Sequence, residues 1–560
     1  MSFYSSANPM FRNHFAESVF TDKYRHEGCE TWAELCGTLV EDVCRDRMTP
    51  EEKDQLEHYM VNMQFIPAGR YLYYAGRPKK FLNNCFALFA EEDTREDWAQ
   101  LSKKAELCLS VGGGIGVDYS VYRPSGSLLR STGGIASGPL PKMEMTNAQG
   151  KGIMQGGSRR SALHASLRHT HGDISEFLKM KNWHEMEVAG TGGKTIADLK
   201  EADFNYHAPM DYTNISVGYD TSWLLNYWET GKTGDVFREN CLQALSTGEP
   251  GMSFNFFDKE EETGRNACCE FTTSDDSDVC NLGSVNLGRI DSVTEFKSVV
   301  ELATKFLLCG TFVADLPYKK VARVREKNRR LGLGLMGIHE WLVKRGEKYE
   351  VSTELHRWLS VYRDVSTRSG TELANQLGCS TPVAFRAVAP TGSIGILAGT
   401  STGVEPIFAV AYKRRYLKSK RWHHQYVVDA AAKEIIDLYG TKPENIESAL
   451  DLSGDYERRI KFQADVQDYV DMAISSTLTM PKWGSEGNNA DGVDNFVSTL
   501  ASYAHRLRGF TCYPDGSRGG QPLTPVSYEE AVEKLGEEFE EHVETVDVCE
   551  ISGKGGVCGS

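Results

Sequence analysis

The sequence predicts an α/β domain, either a barrel or an open sheet, and three observations lead there. Short β-type runs such as Asn84-Cys85-Phe86-Ala87-Leu88-Phe89 alternate with amphipathic stretches such as 95–110. The alternation persists past residue 390, where Ser393-Ile394-Gly395-Ile396-Leu397-Ala398 reads as another short run. Glycine, 53 of 560 residues, is dense between about 66 and 160, in loops such as Gly112-Gly113-Gly114-Ile115-Gly116. At roughly 150 residues per domain the chain could hold several, but large α/β barrels exceed that size.

Before this region, residues 11–65 read as helical. Trp32 to Val40 carries apolar residues at helical spacing, and Met48-Thr49-Pro50-Glu51-Glu52 offers a threonine cap with proline in the first turn. From Tyr528 the character changes again. An acidic stretch with a thin apolar stripe runs into Ser552-Gly553-Lys554-Gly555-Gly556-Val557-Cys558-Gly559-Ser560, small and flexible in composition. The expected division is a helical region at 1–65, a catalytic α/β domain at 66–527 and a flexible tail at 528–560.

Composition excludes several functions. A net charge of −16 argues against a broad nucleic-acid surface. No apolar run approaches the ~18 residues of a membrane span, and Met-Ser-Phe-Tyr-Ser-Ser-Ala-Asn-Pro is no signal peptide. A cytoplasmic protein is expected. Its 14 cysteines include no Cys-x-x-Cys pair, which removes zinc-ribbon and thioredoxin-type readings, so most read as small buried hydrophobes. Gly190-Thr191-Gly192-Gly193-Lys194-Thr195 lacks the first glycine of a phosphate loop, since Val188 stands there. Gly332-Leu333-Gly334-Leu335-Met336-Gly337 follows two arginines instead of an apolar strand, so close helix packing is the better reading. His169-Thr170-His171 and His423-His424 lack further ligands, and no metal site is expected.

The chemistry concentrates in Asn266-Ala267-Cys268-Cys269-Glu270. On an extended chain Cys268 and Glu270 put a thiol and a base on one side. Residue types alone permit a nucleophile with a neighbouring base, or one-electron chemistry with base assistance. The run resembles the Asn-Pro-Cys-x-Glu finger loop of ribonucleotide reductases, followed at similar spacing by Cys280-Asn281-Leu282-Gly283-Ser284-Val285-Asn286-Leu287. In the same order come Ile66-Pro67-Ala68-Gly69-Arg70, Asn84-Cys85-Phe86, Gly112 to Gly116, Gly156 to Ala162 and Asn214-Ile215-Ser216-Val217. Arg329 to Gly334, Ala389 to Ser393 and Gly403-Val404-Glu405-Pro406 complete the set. Ala267 stands where proline is usual, and Cys269 where glycine is frequent.

The resemblance implies a ten-stranded α/β barrel of two five-stranded half-sheets, with the Cys268 loop threaded through it. It implies reduction of ribonucleotides to deoxyribonucleotides by a thiyl radical on Cys268, with Glu270 as base and Asn266 holding substrate. Cys85 and Cys280 would supply the electrons. Cys549 and Cys558, separated by eight residues where four are commoner, would regenerate them from thioredoxin or glutaredoxin. Ala68, Asn84, Gly114, Pro390, Thr391, Gly392, Ser393 and Ile394 match substrate contacts. Asp93, Thr94, Gly156, Gly157, Ser158, Arg159 and Arg160 match the site of a deoxynucleotide or ATP effector with magnesium. A homodimer is implied.

Relatives differ in radical source. The only adjacent tyrosines are Tyr73-Tyr74, far from the C-terminus where an oxygen-dependent enzyme needs them, and no glycyl-radical motif occurs. Arg508-Gly509-Phe510-Thr511-Cys512-Tyr513-Pro514-Asp515-Gly516-Ser517-Arg518 resembles a segment of the adenosylcobalamin-dependent (class II) enzymes, which makes that cofactor the expected source. There is no Asp-x-His-x-x-Gly to replace the cofactor's lower ligand. Alternatives are a large subunit served by a separate metal-containing protein, and a silent regulatory partner, which retention of Cys85, Cys268, Glu270 and Cys280 disfavours. Diphosphate substrates are expected, with triphosphates as the alternative. Sixty-five residues precede Ile66, too few for an N-terminal ATP-binding control domain, so overall control by dATP is expected to be absent.

Overall fold

The computed structural model describes residues 10–129, 133–155, 159–203, 206–418, 421–516 and 523–540. Five parallel strands form one half-sheet in the order β1 (Cys85–Phe89), β2 (Gly114–Asp118), β3 (Leu163–Arg168), β4 (Thr213–Tyr219) and β5 (Gly251–Phe254). A second parallel set comprises β6 (Leu282–Asn286), β7 (Gly332–Met336), the segment 386–388, β8 (Thr477–Met480) and β9 (Gly509–Pro514). It is continuous through β6–β7 pairing, the bridges Leu333 to Arg386 and Val388 to Ile474, and β8–β9 pairing. The halves meet where β9 pairs antiparallel with β5. On the other side Asp278–Val279 pairs antiparallel with β1 and leads directly into β6. These ten strands make the expected barrel of two half-sheets.

Parallel strands buried on both faces read as continuous apolar runs, and β1 (Cys-Phe-Ala-Leu-Phe) is buried along nearly its whole length. The apolar core is correspondingly double. One cluster packs the first half-sheet against flanking helices such as Arg95–Ser110 and Asp235–Thr247. The other joins β6 and β7 to the long helices Val293–Val313 and Thr353–Gln376 and to the N-terminal helices. Those are α1 (His14–Lys23), α2 (Trp32–Cys44) and α3 (Pro50–Val61). Thr49 caps α3 in a reciprocal box with Glu52 and Pro50 opens it, as the local sequence predicts. Buried Arg12 ties this region to the barrel: it donates to Glu340 at 2.7 and 2.9 Å and to the Gly399 carbonyl at 2.6 Å.

Several local expectations change. Gly114–Asp118 is strand, not loop, because its glycines admit the finger loop described below. The Gly332 run is a strand; its glycines face Leu282, Cys280 and the Ala387 carbonyl, and its leucines pack on the helices Val293–Val313 and Thr353–Gln376 as the helix-packing reading expects. The 393–398 run is a helix, Gly392–Ala398, since a short buried apolar run fits either state and the left-handed Thr391 turns the chain into it. Tyr528 does not begin a free tail. Ser527 caps the helix Tyr528–Glu533, Ala531 packs against Ala411 and Val428, and Glu538–Glu540 pairs with the hairpin strand Arg421–Val428. Among the described residues no helix is long and apolar enough to cross a membrane.

Candidate active site

The finger loop rises on a short antiparallel ladder, Gly264–Arg265 with Thr272–Thr273. Its tip is not the extended chain that an i, i+2 relation suggests. The Cys269 amide donates to the Asn266 carbonyl at 3.1 Å, closing a turn, and Cys269 has φ +65°. The left-handed region costs a residue with a Cβ about 1–2 kcal/mol, which explains why glycine suits this position. The turn leaves Cys268 exposed and buries Asn266 and Glu270.

Both half-sheets grip the loop. A Cβ on Gly116 would lie 2.0 Å from the Arg265 carbonyl oxygen, and one on Gly114 3.3 Å from the Ala267 Cβ, so these glycines are what allow the loop to lie on β2. Asn214 on β4 donates to the Ala267 carbonyl at 3.3 Å. From the other half, Ala473 donates its amide to the Glu270 carbonyl at 2.9 Å. Beneath the loop buried Arg265 donates to Asn255 Oδ1 at 2.6 Å and to the Arg508 carbonyl at 3.1 Å; burial pulls its guanidinium down to about 9.

Asn266 donates from Nδ2 to Glu270 Oε1 at 2.8 Å and accepts at Oδ1 from the Phe271 amide at 3.2 Å. Glu270 Oε2 is buried, with no hydrogen-bond partner among the described residues. Burial raises the Glu270 carboxyl to about 7, against the opposing pull of its own backbone N–H and of Asn266. The group is therefore poised to hold or release a proton near neutral pH.

The antiparallel register places Asp278 opposite Ala87 and Val279 opposite Phe86, so Cys280 falls opposite Cys85, and the Cys280 amide donates to the Cys85 carbonyl at 3.3 Å. Directly opposed antiparallel residues have Cα atoms about 4.5–5.5 Å apart, inside the range a disulfide spans. Neither cysteine is in a disulfide, and both are buried. Burial first, then the nearby Glu270 and Cys85, holds the Cys280 thiol well above its ordinary range. Asn83, not singled out in the sequence, donates to the Cys280 carbonyl at 3.0 Å.

Of the remaining expected substrate positions, Ala68, Asn84 and Gly114 adjoin this centre. Cys85 pairs in register with Gly114, the Gly114 amide donates to the Asn84 carbonyl at 2.8 Å, and Asn84 Oδ1 is buried with no partner among the described residues. Ala68 packs in one small-residue cluster with Phe271, Cys280 and Ala387. Pro390 and Thr391 lead into the helix that begins at Gly392, where Gly392 and Ser393 are exposed and Ile394 is buried. The Thr391 hydroxyl is occupied, accepting from the Gly403 amide at 2.8 Å.

The expected effector residues are less connected. Thr94 caps the helix Arg95–Ser110, and Asp93 is ion-paired with Arg123. Gly156, Gly157 and Ser158 lie outside the described residues, as do Cys549 and Cys558; Arg159–Arg160 forms a two-residue strand with Met154–Gln155. Among the described residues no group of three or more His, Cys, Asp or Glu could hold a metal ion.

The profile described as "Ribonucleotide reductase, barrel domain" matches residues 83–219, 221–381 and 383–513. The chain is 26% identical to a vitamin B12-dependent ribonucleoside-diphosphate reductase of Mycobacterium tuberculosis, over 93% of this chain and 76% of that one. It is 26% identical to an enzyme of the same name from Thermoplasma acidophilum, over 84% of this chain and 66% of that one. Among solved structures, the Actinobacillus ureae class Id ribonucleotide reductase alpha subunit superposes with a TM-score of 0.69 at 17% identity. It covers 90% of this chain and 97% of the other, a likeness of fold.

Proposed function

The chain belongs to the ribonucleotide reductase family, and from that premise we propose that it converts ribonucleotides to 2′-deoxyribonucleotides by a thiyl-radical reaction initiated by adenosylcobalamin. The observation that carries the proposal is the joint placement of Cys85 opposite Cys280 and of Cys268, Asn266 and Glu270 on a loop held between both half-sheets.

Each residue then has a task its surroundings suit. Cys268, as a thiyl, removes the C3′ hydrogen; sulfur–hydrogen and ribose carbon–hydrogen bonds are similar in strength, so the step is nearly balanced. Glu270 takes the 3′-hydroxyl proton while the 2′-hydroxyl leaves as water with a proton from one of the paired thiols, and Glu270 returns its proton to the 3′-oxygen as the product forms. Asn266 keeps the carboxylate oriented. Cys85 and Cys280 give up two hydrogens and become a disulfide, and Cys268 returns the hydrogen to C3′. In sum, a ribonucleotide and two thiols yield a deoxyribonucleotide, a disulfide and water. Cys549 and Cys558 would reduce that disulfide, drawing on thioredoxin or glutaredoxin. Gly392 and Ser393 would hold substrate phosphate at a helix start.

Adenosylcobalamin, when bound, supplies the radical by homolysis of its cobalt–carbon bond. The residues fit it where contact is needed: Cys268 is exposed at the loop tip, whereas Cys85 and Cys280 are buried. The 508–518 segment would hold it. Support comes from that segment and from the vitamin B12-dependent relatives by name. Diphosphate substrates, a nucleotide effector with magnesium at Asp93, Thr94 and 156–160, a homodimer and a cytoplasmic setting complete the reading.

The test is purified chain with a ribonucleotide, dithiothreitol and adenosylcobalamin. Deoxynucleotide should form without a second protein, and Cys268→Ser should abolish it. Turnover only with an iron or manganese protein would replace the cofactor assignment, and turnover by Cys268→Ser would remove the site assignment.

A further inference from the structure

Arg330, which precedes β7, has no part in the reaction just described, yet it reaches both ends of the finger loop and the strand that leads to Cys280. It is only 5% exposed. Its Nε donates to Asp278 Oδ2 at 3.0 Å and its Nη2 to the Thr273 hydroxyl at 3.5 Å. Its Nη1 lies 3.9 Å from Glu262 Oε1, and its guanidinium carbon lies 5.9 Å from the centroid of the Phe271 ring, within cation–π range. Glu262 stands just before the finger stem, Thr273 ends it, and Phe271 directly follows Glu270. Asp278 is paired opposite Ala87 in the short ladder that brings Cys280 opposite Cys85.

The two carboxylates are joined to the finger a second time. Glu262 Oε2 accepts from the Thr272 hydroxyl at 2.8 Å and from Arg508, just before β9, at 3.0 Å. Asp278 Oδ2 accepts from the Thr273 hydroxyl at 2.8 Å and from Asn328 at 2.9 Å, while its Oδ1 accepts from the Val279 amide at 2.8 Å. Consecutive threonines of one stem strand thus hold the two carboxylates, and Arg330 spans the space between them. Asp278 is fully buried, and among the described residues Arg330 is its one cationic partner. Such a pair resists displacement, because separating it leaves a buried charge uncompensated. Two residues further on, Gly332 lies against the same redox strand: a Cβ there would sit 2.9 Å from Cys280 Sγ.

We infer that Arg330 is a positioning residue that locks the foot of the finger loop to the strand of Cys280, so that Cys268 and Glu270 at the tip and the Cys85–Cys280 pair address one substrate. Arginine suits this task because its planar fork meets two carboxylates and a hydroxyl from fixed directions, whereas a lysine ammonium is a single point charge. The inference rests on the reading of Cys268 as the radical site and of Cys85 and Cys280 as the electron donors.

The test compares Arg330→Lys, Asp278→Asn, Thr272→Val and the double variant Arg330→Lys/Thr272→Val in the full chain. Four quantities are measured: kcat, KM, thermal midpoint and the ratio of disulfide to dithiol at Cys85 and Cys280. That ratio is read by peptide mapping after equilibration with a fixed mixture of oxidised and reduced dithiothreitol, without substrate or cofactor. Arg330→Lys should lower kcat about tenfold or more, with KM within about twofold, because small misplacements at a reacting centre are costly. Arg330→Lys and Asp278→Asn should each move the disulfide ratio about threefold or more, since both release the strand of Cys280 from the finger. Thr272→Val, a nearly isosteric change that removes one hydroxyl from Glu262, should lower kcat and leave the ratio as in wild type. The double variant should be no worse than Arg330→Lys alone, since both changes loosen one joint. Thermal midpoints above the assay temperature show that the compared variants are folded. Wild-type kcat in folded Arg330→Lys, a wild-type ratio in both Arg330→Lys and Asp278→Asn, or losses that multiply in the double variant would overturn the inference. If instead Cys268→Ser turns over, the underlying site assignment fails, and the ratio, measured without turnover, still reports whether Arg330 holds the Cys280 strand.

Discussion

Asn266 donates its side-chain amide to one oxygen of Glu270 at 2.8 Å, and the second oxygen of that carboxylate is buried with no partner among the described residues. One oxygen is oriented, and in the proposed reaction the other meets a substrate hydroxyl. A carboxyl fully engaged in ion pairs would sit low and make a poor base at neutral pH; this one is held at about 7 by burial.

Glu270→Gln should therefore lower kcat by roughly 10²–10⁴, the usual contribution of a positioned base. In the wild-type protein kcat should rise with pH through about 7, as the carboxyl ionises. Stability should move oppositely. A carboxyl at about 7 when folded, against an ordinary 4.5, binds its proton more tightly in the native state, so its contribution is lost as pH rises between those values. Glu270→Gln should be more stable than wild type at pH 8, by up to about 3 kcal/mol, and nearly indistinguishable at about pH 4, below the unfolded value. Thermal midpoints at the two pH values check this.

Chain incubated with substrate and cofactor but no reductant should contain a Cys85–Cys280 disulfide, read by non-reducing peptide mapping. Cys85→Ser or Cys280→Ser should lose multiple turnover. Cys549→Ser should retain dithiothreitol-driven activity and lose thioredoxin-driven activity, which a side-by-side assay of the two reductants measures.

Gly116→Ala places a Cβ where the Arg265 carbonyl already lies, 2.0 Å away, and a backbone atom cannot swing aside. It should cost about 1–3 kcal/mol and displace the finger, with most activity lost. Gly454→Ala, with nothing within 4 Å of the added Cβ, is the control and should stay within about 0.5 kcal/mol in urea unfolding.

Arg12→Met should destabilise the protein by about 3 kcal/mol, since Glu340, fully buried, would keep only Lys344 at 2.8 Å as a cationic partner. Denaturant unfolding should show a lower midpoint with an unchanged slope.

Much of the site was legible in the sequence because its parts are local. Thr49 and Pro50 start α3, the 95–110 periodicity marks its helix, and the ordered segments around Cys268 identify the family. The short 393–398 run was not, because six apolar or small residues satisfy strand and helix alike until the turn at Thr391 is known. The acidic stretch after Tyr528 suggested a tail because no local feature shows that Ala531 will find a pocket between Ala411 and Val428.

The sequence by itself determined the chemistry available: three thiols, a carboxylate and an amide, in a spacing that names a reaction. Only the tertiary structure decided how they work together. Cys85 and Cys280 face one another because a two-residue antiparallel ladder sets their register, and the Glu270 carboxyl is raised to about 7 because burial removes its water. Sequence fixes which groups exist, but distance, burial and register arise from contacts between residues far apart along the chain, and those set reactivity.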